Sequence, residues 1–151
     1  MLKNNSSRIH DLNCLTTELD SLYHQAAVRL GLSDSVLMVL YALYDSGGCC
    51  LLSNIYKQAD KSRQTINSAV RKLEAEGIIY LEAYRGRSKK ILLTDKGREY
   101  ADGTVAHIYA MENDIFVAWS RDEFDIYIRL FRRFIDEFRE NMSKLPKGEM
   151  K

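Results

Sequence analysis

The segment from Lys61 to Gly77 constrains the fold of this chain most strongly, because it has the pattern of a short helix with one apolar side. Ser62 is of a residue type that caps helix N-termini, and Gly77 is of the type that ends helices in a left-handed turn. Between them, apolar residues recur at helical spacing. They are Ile66, Ala69, Val70 and Leu73. The segment therefore predicts a helix that packs one face against a hydrophobic core.

The other face of this helix carries side chains suited to nucleic acid. Arg, Gln and Asn have paired donors and acceptors that match the edges of guanine and adenine in the major groove. Such residues, with one serine, lie largely off the apolar face: Arg63, Gln64, Asn67, Ser68 and Arg71. This composition indicates a DNA recognition helix. Arg63 and Gln64 are the predicted base contacts, since the N-terminal turn of such a helix enters the groove.

The residues after Gly77 have the pattern of a β-hairpin with a basic tip. Ile78–Tyr84 is rich in β-branched and aromatic residues, which favour strands. Arg85–Lys90 is basic and includes a glycine for the turn, and Ile91–Leu93 is a second apolar run. Thr94 then caps a further helix. A helix, a basic hairpin and a helix are the outline of a winged helix-turn-helix.

Charge is segregated along the chain. The whole sequence has a formal net charge of +1. The segment Lys61–Arg98 contains ten Lys or Arg against four Asp or Glu, a net charge of +6, so the remainder carries −5. A solvated run of charge is the alternative explanation, but this cluster coincides with a helix and a hairpin tip. The pattern therefore favours a basic face that binds phosphates.

The flanking sequence predicts a mainly helical chain without internal repeats. A first helix is predicted from about Arg8 to Leu30, and a second, buried helix follows a cap at Ser33 and stops at Gly47-Gly48. A short supporting helix is predicted at Leu52–Ala59. After the hairpin, one long helix is predicted from Asp95 to Trp119.

The last helix has more apolar surface than one neighbour would cover. Ser120 and Glu123 have the spacing of a capping box at its start. Its apolar stripe contains Phe124, Tyr127, Ile128, Phe131, Phe134, Ile135 and Phe138, and the first helix has its own stripe with Leu12 and Leu19. Because a monomer rarely exposes patches of this size, the stripes predict dimerisation through the terminal helices, with a folded-back monomer as the alternative. The predicted dimerisation residues are Leu12, Leu19, Phe124, Phe131, Phe134 and Phe138.

At this point the chain resembles the MarR family of bacterial transcription regulators. The matching pieces lie in order at Leu32-Ser33, Ser62–Thr65, Arg71–Gly77 and Arg87–Gly97. One departure is Arg85, which stands where the family often has an Asp two residues before the wing-tip arginine, here Arg87. From the pattern and the resemblance together, the predicted DNA-binding residues are Ser62, Arg63, Gln64, Thr65, Asn67, Ser68, Arg71, Arg85, Arg87 and Lys89.

The resemblance implies an architecture and a function. It implies a single MarR-like domain over 1–151, mainly α (α+β), with a winged helix-turn-helix at 32–97 and dimerisation helices at 8–30 and 98–142. The implied function is a sequence-specific, ligand-responsive repressor that binds a palindromic operator in double-stranded DNA as a homodimer. A winged-helix interaction protein without specific DNA binding remains the alternative. A small-molecule effector would lie between the dimerisation helices and the DNA-binding unit. The side chains available there, each also explained by core packing, are Tyr23, His24, Tyr41, Tyr44 and Trp119.

No motif supports catalysis, a cofactor or a metal. The sequence lacks a phosphate-binding loop, G-x-S-x-G and H-E-x-x-H, and His10, His24 and His107 are scattered; a site assembled only by folding stays open. The three cysteines, Cys14, Cys49 and Cys50, are expected to be small core residues rather than redox sensors.

Targeting signals are also lacking. No apolar run approaches the ~20 residues of a membrane span, and no signal-peptide pattern is present at the start. A cytoplasmic protein without a membrane partner is expected, with loose ends at Met1–Ser7 and Leu145–Lys151.

Overall fold

The chain folds into helices with one small sheet. The computed structural model describes residues 2–146 and 148, with side chains from Ser7 onward in that range. In chain order the elements are α1 (Leu2–Arg29), α2 (Asp34–Asp45), β1 (Cys49–Leu51), α3 (Leu52–Gln58), α4 (Arg63–Ala75), β2 (Ile79–Ala83), β3 (Lys89–Leu93), α5 (Asp95–Asp102), α6 (Val105–Val117) and α7 (Arg121–Met142). Internal contacts divide the chain into two compact units, residues 1–109 and 110–151.

Side-chain caps fix where four of the helices begin. Ser33 accepts a hydrogen bond from the backbone N–H of Val36 at 3.3 Å, and Ser62 accepts one from Thr65 at 3.2 Å. Thr94 accepts from the N–H of Gly97 at 2.9 Å. These bonds satisfy backbone donors that a helix leaves free at its start. The predicted caps at these positions are confirmed.

The capping box that opens α7 is also confirmed. Ser120 Oγ accepts from the N–H of Glu123 at 3.2 Å, and Glu123 Oε2 accepts from the N–H of Ser120 at 2.8 Å. These hydrogen bonds lower the pKa of Glu123 below its ordinary value, the backbone donor of Ser120 contributing most.

The sheet is antiparallel, with β3 in the middle of the order β1-β3-β2. In β3, Ile91 pairs with Cys50 on one side and with Leu81 on the other. The sequence predicts only the β2–β3 hairpin, because three residues after a double glycine carry no strand signal of their own. Strand β1 forms because β3 offers a second edge: the N–H of Leu93 donates to the carbonyl of Gly48 at 2.9 Å, next to the paired residues.

The core of the first unit joins the helices to this sheet. Helix α2 packs on α4, and α3 packs on β1 and β3. The largest fully buried side chains are Leu40, Leu43, Ile55, Ile66, Leu73, Ile79, Ile91, Val39 and Val105. Each such side chain contributes about 1.5–3 kcal/mol of burial free energy. The predicted apolar face of α4 is therefore confirmed as the side that enters the core.

Three predicted boundaries change. The long helix predicted from Asp95 to Trp119 is two helices, because the chain breaks at Gly103 and Thr104, whose hydroxyl donates to the carbonyl of Tyr100 at 2.6 Å. The first helix begins at Leu2, earlier than predicted, with Met1 outside the described residues. The basic tip is shorter than predicted, since Lys89 and Lys90 lie in β3. Of the predicted tail 145–151, residues 147 and 149–151 lie outside the described part.

The expectation for the cysteines is wrong at two positions. Cys14 and Cys49 are exposed, and Cys50 is half-buried. Burial raises the pKa of the Cys50 thiol above its ordinary value, and the neighbouring Cys49 adds to the increase.

In residues 110–151, α7 buries none of its side chains in a single chain. Aromatic rings pack edge to face along this unit, with Phe116 5.0 Å from Phe124 and Trp119 5.4 Å from Tyr127 between ring centroids. The apolar stripe remains open nevertheless, and Phe131 is 50% exposed. In α1, Leu19 is likewise 50% exposed. Both terminal helices thus present the apolar stripes that the sequence predicts.

Within the described residues, no single helix has the length and the apolar composition to cross a membrane; Ser7–Arg29 and Asp34–Asp45 meet that criterion only as a pair bent by 91°.

Candidate nucleic-acid interface

The exposed face of α4 is polar and directed away from the core. Gln64, Ser68 and Arg71 are exposed and recur at helical spacing, opposite Ile66 and Leu73. The hydroxyl of Ser68 donates to the carbonyl of Gln64 at 3.0 Å, so it is engaged within the helix. Gln64 and Arg71 are the longest side chains on this face, and they end in an amide and a guanidinium group. This face can offer both donors and an acceptor to a groove.

Residues at the start of α4 are partly occupied with the helix itself. Ser62 Oγ caps the helix and lies 2.9 Å from the hydroxyl oxygen of Thr65. Both side chains remain exposed. The cap leaves other backbone N–H groups of the first turn facing outward, which together with the helix dipole favour a phosphate.

Arg63 and Asn67 lie on the flank of α4 that faces α3. The guanidinium carbon of Arg63 lies 4.9 Å from the ring centroid of Tyr56, over the ring. The hydroxyl of the same tyrosine donates a hydrogen bond to Oδ1 of Asn67, which is half-buried. Tyr56 is a residue that the sequence did not single out, and a lone tyrosine in a short helix carries no signal of such a contact.

The wing is the hairpin formed by β2, β3 and the turn between them, and its tip is positively charged. Its turn is closed by hydrogen bonds from the N–H of Tyr84 to the carbonyl of Ser88 at 2.9 Å and from the N–H of Ser88 to the carbonyl of Arg85 at 3.1 Å. Gly86 sits in this turn with φ +59°, a conformation that glycine adopts without a Cβ clash. Arg85 packs against the ring of Tyr84 at 5.6 Å to the centroid. The tip is thereby held in one shape with its charges at the surface.

A groove joins α4 to the wing and brings the two predicted basic elements together. It has a volume of about 570 Å³ and is lined by residues of α3, α4 and the wing. One carboxylate, Glu74, lines the groove. It is opposed by four basic side chains, Arg63, Arg71, Arg87 and Lys89. None of these four basic side chains forms an ion pair with another described side chain. A groove with unpaired guanidinium and ammonium groups suits a phosphodiester backbone.

The base of the wing is tied to the end of α4. The hydroxyl of Thr94 donates to the carbonyl of Gly77 at 2.6 Å, and the ammonium of Lys96 donates to the carbonyl of Glu76 at 2.6 Å. These bonds satisfy carbonyls that the C-terminus of α4 leaves without helical partners. They hold the wing at a fixed angle to the helix whose polar face it extends.

A second cavity lies elsewhere in the first unit and contains three of the five predicted effector residues. It has a volume of about 560 Å³ and is lined by α1, α2 and α3 side chains that include Tyr23, His24 and Tyr41. Nδ1 of His24 lies 2.9 Å from Oδ1 of Asp34 at the rim. Tyr44 lines a different, smaller cavity.

The fifth predicted effector residue, Trp119, belongs to residues 110–151, where its ring packs against Phe116 and Tyr127. Among the residues that the structure describes, no group of three His, Cys, Asp or Glu side chains is placed to hold a metal ion.

Comparisons with known proteins agree with this geometry. The model of the MarR family matches residues 30–87, which include α2, α3, α4 and β2. A search of curated proteins gives no significant match. Among solved structures, NMB1585, a MarR family regulator from Neisseria meningitidis, has a TM-score of 0.80 at 15% sequence identity, over 91% of this chain and 97% of its own.

Two further structures have been solved with bound molecules. MepR from S. aureus, in a complex with DNA, has a TM-score of 0.62 at 18% identity, over 85% of this chain and 96% of its own. PcaV from Streptomyces coelicolor, in a complex with its natural ligand, has a TM-score of 0.56 at 22% identity, over 81% of this chain and 89% of its own. At such identities the likeness establishes the fold. Together with the family match, it confirms the predicted resemblance and the mainly α, winged-helix fold class.

Proposed function

We propose that this chain, which matches the model of the MarR family over residues 30–87, is a sequence-specific DNA-binding repressor of that family that acts as a homodimer. The observation that carries the proposal is the groove between α4 and the wing. Its four unpaired basic side chains continue from a helix face that offers Gln64 and Arg71. MepR, which shares this fold, was solved in a complex with DNA, and this supports DNA as the partner.

The contacts divide by chemistry. Gln64, Arg63 and Arg71 carry the bidentate groups that match base edges, so they set sequence preference in the major groove. Arg85, Arg87 and Lys89 of the wing contact phosphates or the minor groove and provide affinity that depends little on sequence. The start of α4 is positioned against the DNA phosphate backbone by Ser62, Thr65 and Ser68.

The operator is a palindrome because the protein is a dimer. Exposed apolar stripes on α1 and α7 support this part of the proposal, since they are larger than a monomer normally leaves in water. A second copy covers both stripes by interleaving its own terminal helices. A two-fold dimer then presents two α4 helices to successive major grooves, about 34 Å apart on one side of the duplex.

A small molecule controls the affinity for DNA from the cavity lined by Tyr23, His24 and Tyr41. Two features support the cavity as the effector site: its volume of about 560 Å³ is that of a small-molecule site, and its wall includes α3, the helix that supports α4. The ligand complex of PcaV supports a ligand-responsive mechanism in this fold. Tyr44 is not among the residues that line this cavity, and its ring packs against Tyr109.

The proposal is tested by selection of duplexes from a random-sequence library with the purified full-length protein. A regulator enriches an inverted repeat whose half-sites lie one helical turn apart. It binds that duplex at least a hundredfold more tightly than unrelated DNA in 150 mM salt. Enrichment without a consensus, together with equal affinities, favours the alternative of a winged-helix interaction protein.

A further inference from the structure

Tyr56 connects α3 to one flank of the recognition helix through two different interactions. Its ring lies under the guanidinium of Arg63, 4.9 Å from the centroid, and its hydroxyl donates to Oδ1 of Asn67. Arg63 and Asn67 are four residues apart, so they lie one above the other on the same side of α4. A single side chain therefore restrains two neighbouring positions of the proposed DNA-contacting surface.

The two interactions have opposite consequences for the groups they hold. Asn67 must direct both its carbonyl oxygen and its amide nitrogen at the base edge to bind adenine in the bidentate manner, and the hydrogen bond from Tyr56 holds that oxygen toward α3. Arg63 loses none of its donors, because a ring face attracts the guanidinium without accepting its N–H groups. No described carboxylate pairs with Arg63, so its hydrogen-bonding edge stays available.

The ordering of Arg63 lowers the entropic cost of binding. A free arginine side chain loses much of its rotamer entropy when it is fixed against a base. A ring that restricts the guanidinium before DNA arrives removes part of this loss. Tyr56 is itself half-buried, and this burial restricts the motion of the ring that contacts Arg63.

From this geometry we propose that Tyr56 is a positioning residue that sets the base preference of Arg63, and that Asn67 serves as the anchor of Tyr56 and does not contact a base. The inference deepens the proposed function and rests on it. The ring holds the arginine, and the hydroxyl bond to Asn67 holds the ring at the correct angle. Both parts have consequences that a residue of purely structural importance would not have.

The test uses a duplex selected by the wild-type protein from a random library, and unrelated DNA of the same length. Tyr56→Phe removes the hydroxyl bond and keeps the ring, and it is expected to raise Kd for the selected duplex about 3- to 10-fold. Tyr56→Leu also removes the ring and is expected to add about a further 2- to 5-fold. Both variants should bind unrelated DNA within about twofold of the wild type, since phosphate contacts dominate there.

The arginine and a distant tyrosine provide the controls. In an Arg63→Ala background, Tyr56→Leu should cost no more than Tyr56→Phe, because the ring then has nothing to hold. Tyr80→Phe removes a hydroxyl from an exposed tyrosine of β2 outside the groove, and it should leave both affinities unchanged. Repeating the selection with Tyr56→Leu should yield a consensus with weakened preference at one position per half-site, the same position that Arg63→Ala weakens.

The outcomes separate the two claims. Equal losses on selected and unrelated DNA, or additive effects of Tyr56→Leu and Arg63→Ala, would overturn the positioning role while leaving a sequence-specific regulator intact. A wild type that enriches no consensus would overturn the proposed function. In that case the same variants still decide the geometry, because the ring-current shift of the Arg63 side-chain protons in the free protein should be present in Tyr56→Phe and lost in Tyr56→Leu.

Discussion

Gly97 should tolerate no side chain, because it is packed directly against the backbone of the hairpin. A Cβ built on Gly97 would lie 1.9 Å from the carbonyl oxygen of Ile78 and 3.3 Å from Cδ2 of Leu93. Ordinary contact begins at 3.4 Å, so Gly97→Ala requires the two backbone segments to separate by about 1.5 Å. The helix that begins after Thr94 would have to move away from the strand pair that forms the wing.

The cost follows from what that carbonyl does. The oxygen of Ile78 accepts from the N–H of Thr94 at 3.0 Å and from its hydroxyl at 3.2 Å. Overpacking against backbone costs about 1–3 kcal/mol, and each weakened hydrogen bond adds about 0.5–1.5 kcal/mol. Alanine recovers up to about 1 kcal/mol of helix propensity. The free energy of unfolding should therefore fall by about 2–4 kcal/mol.

Gly103→Ala is the matched control. The nearest atom to its added Cβ would be the carbonyl oxygen of Glu99 at 3.5 Å, and its φ of −79° suits any residue. We expect no loss and up to about 1 kcal/mol of gain from a less flexible unfolded chain. Urea denaturation of both variants at one protomer concentration measures the difference. A Gly97→Ala protein within about 1 kcal/mol of the control would refute the close packing.

Three further outcomes are expected. Replacing Arg87 and Lys89 with Ala should weaken binding to all DNA sequences and reduce the salt-dependence slope by roughly one unit per lost contact in gel-shift titrations, whereas an unchanged slope would remove the wing from the interface. Phe131→Asp should give monomer or aggregate by sedimentation and abolish tight operator binding, and a well-folded monomeric wild type that binds tightly would contradict the dimer. Hydrogen bonds from Ser120 lower the pKa of Glu123, so its contribution to α7 is present above the ordinary carboxyl range and is lost as the pH falls through the lowered value. Glu123→Gln should reduce the loss of helicity measured by circular dichroism between pH 6 and pH 3, and an unchanged acid transition would show that the capping box does not contribute.

Local patterns predicted the parts of the fold that local physics decides. Ser62 and Thr94 have the polar oxygens that helix starts require, and the apolar spacing of α4 identified its buried face. Strand β1 was missed because its stability comes from pairing with β3, a partner about forty residues away. The break at Gly103 was missed because the apolar pattern continues on both sides of it.

The candidate site was predicted in its residue types but not in its internal contacts. Arg87 and Lys89 were assigned from charge and hairpin pattern, and the groove places them beside Arg63 and Arg71. Charge segregation sufficed for this because four like charges with a single carboxylate, Glu74, among them are stable only where solvent or a partner neutralises them. Tyr41 lines one cavity and Tyr44 another, and Trp119 belongs to residues 110–151, so the assignment of these side chains to one effector site stays a prediction.

Asn67 illustrates why residue type cannot decide a contact. By chemistry it belongs with the side chains that bind adenine, and its spacing places it beside Arg63 on α4. Its acceptor is nevertheless used by Tyr56, eleven positions earlier in the chain. A half-buried amide is held by its own hydrogen bonds before DNA is present, because a buried acceptor left unpaired destabilises the fold by about 1–3 kcal/mol. The guanidinium groups of Arg63 and Arg71 form no ion pair with a described side chain, and we therefore propose that they discriminate bases on this surface together with the amide of Gln64.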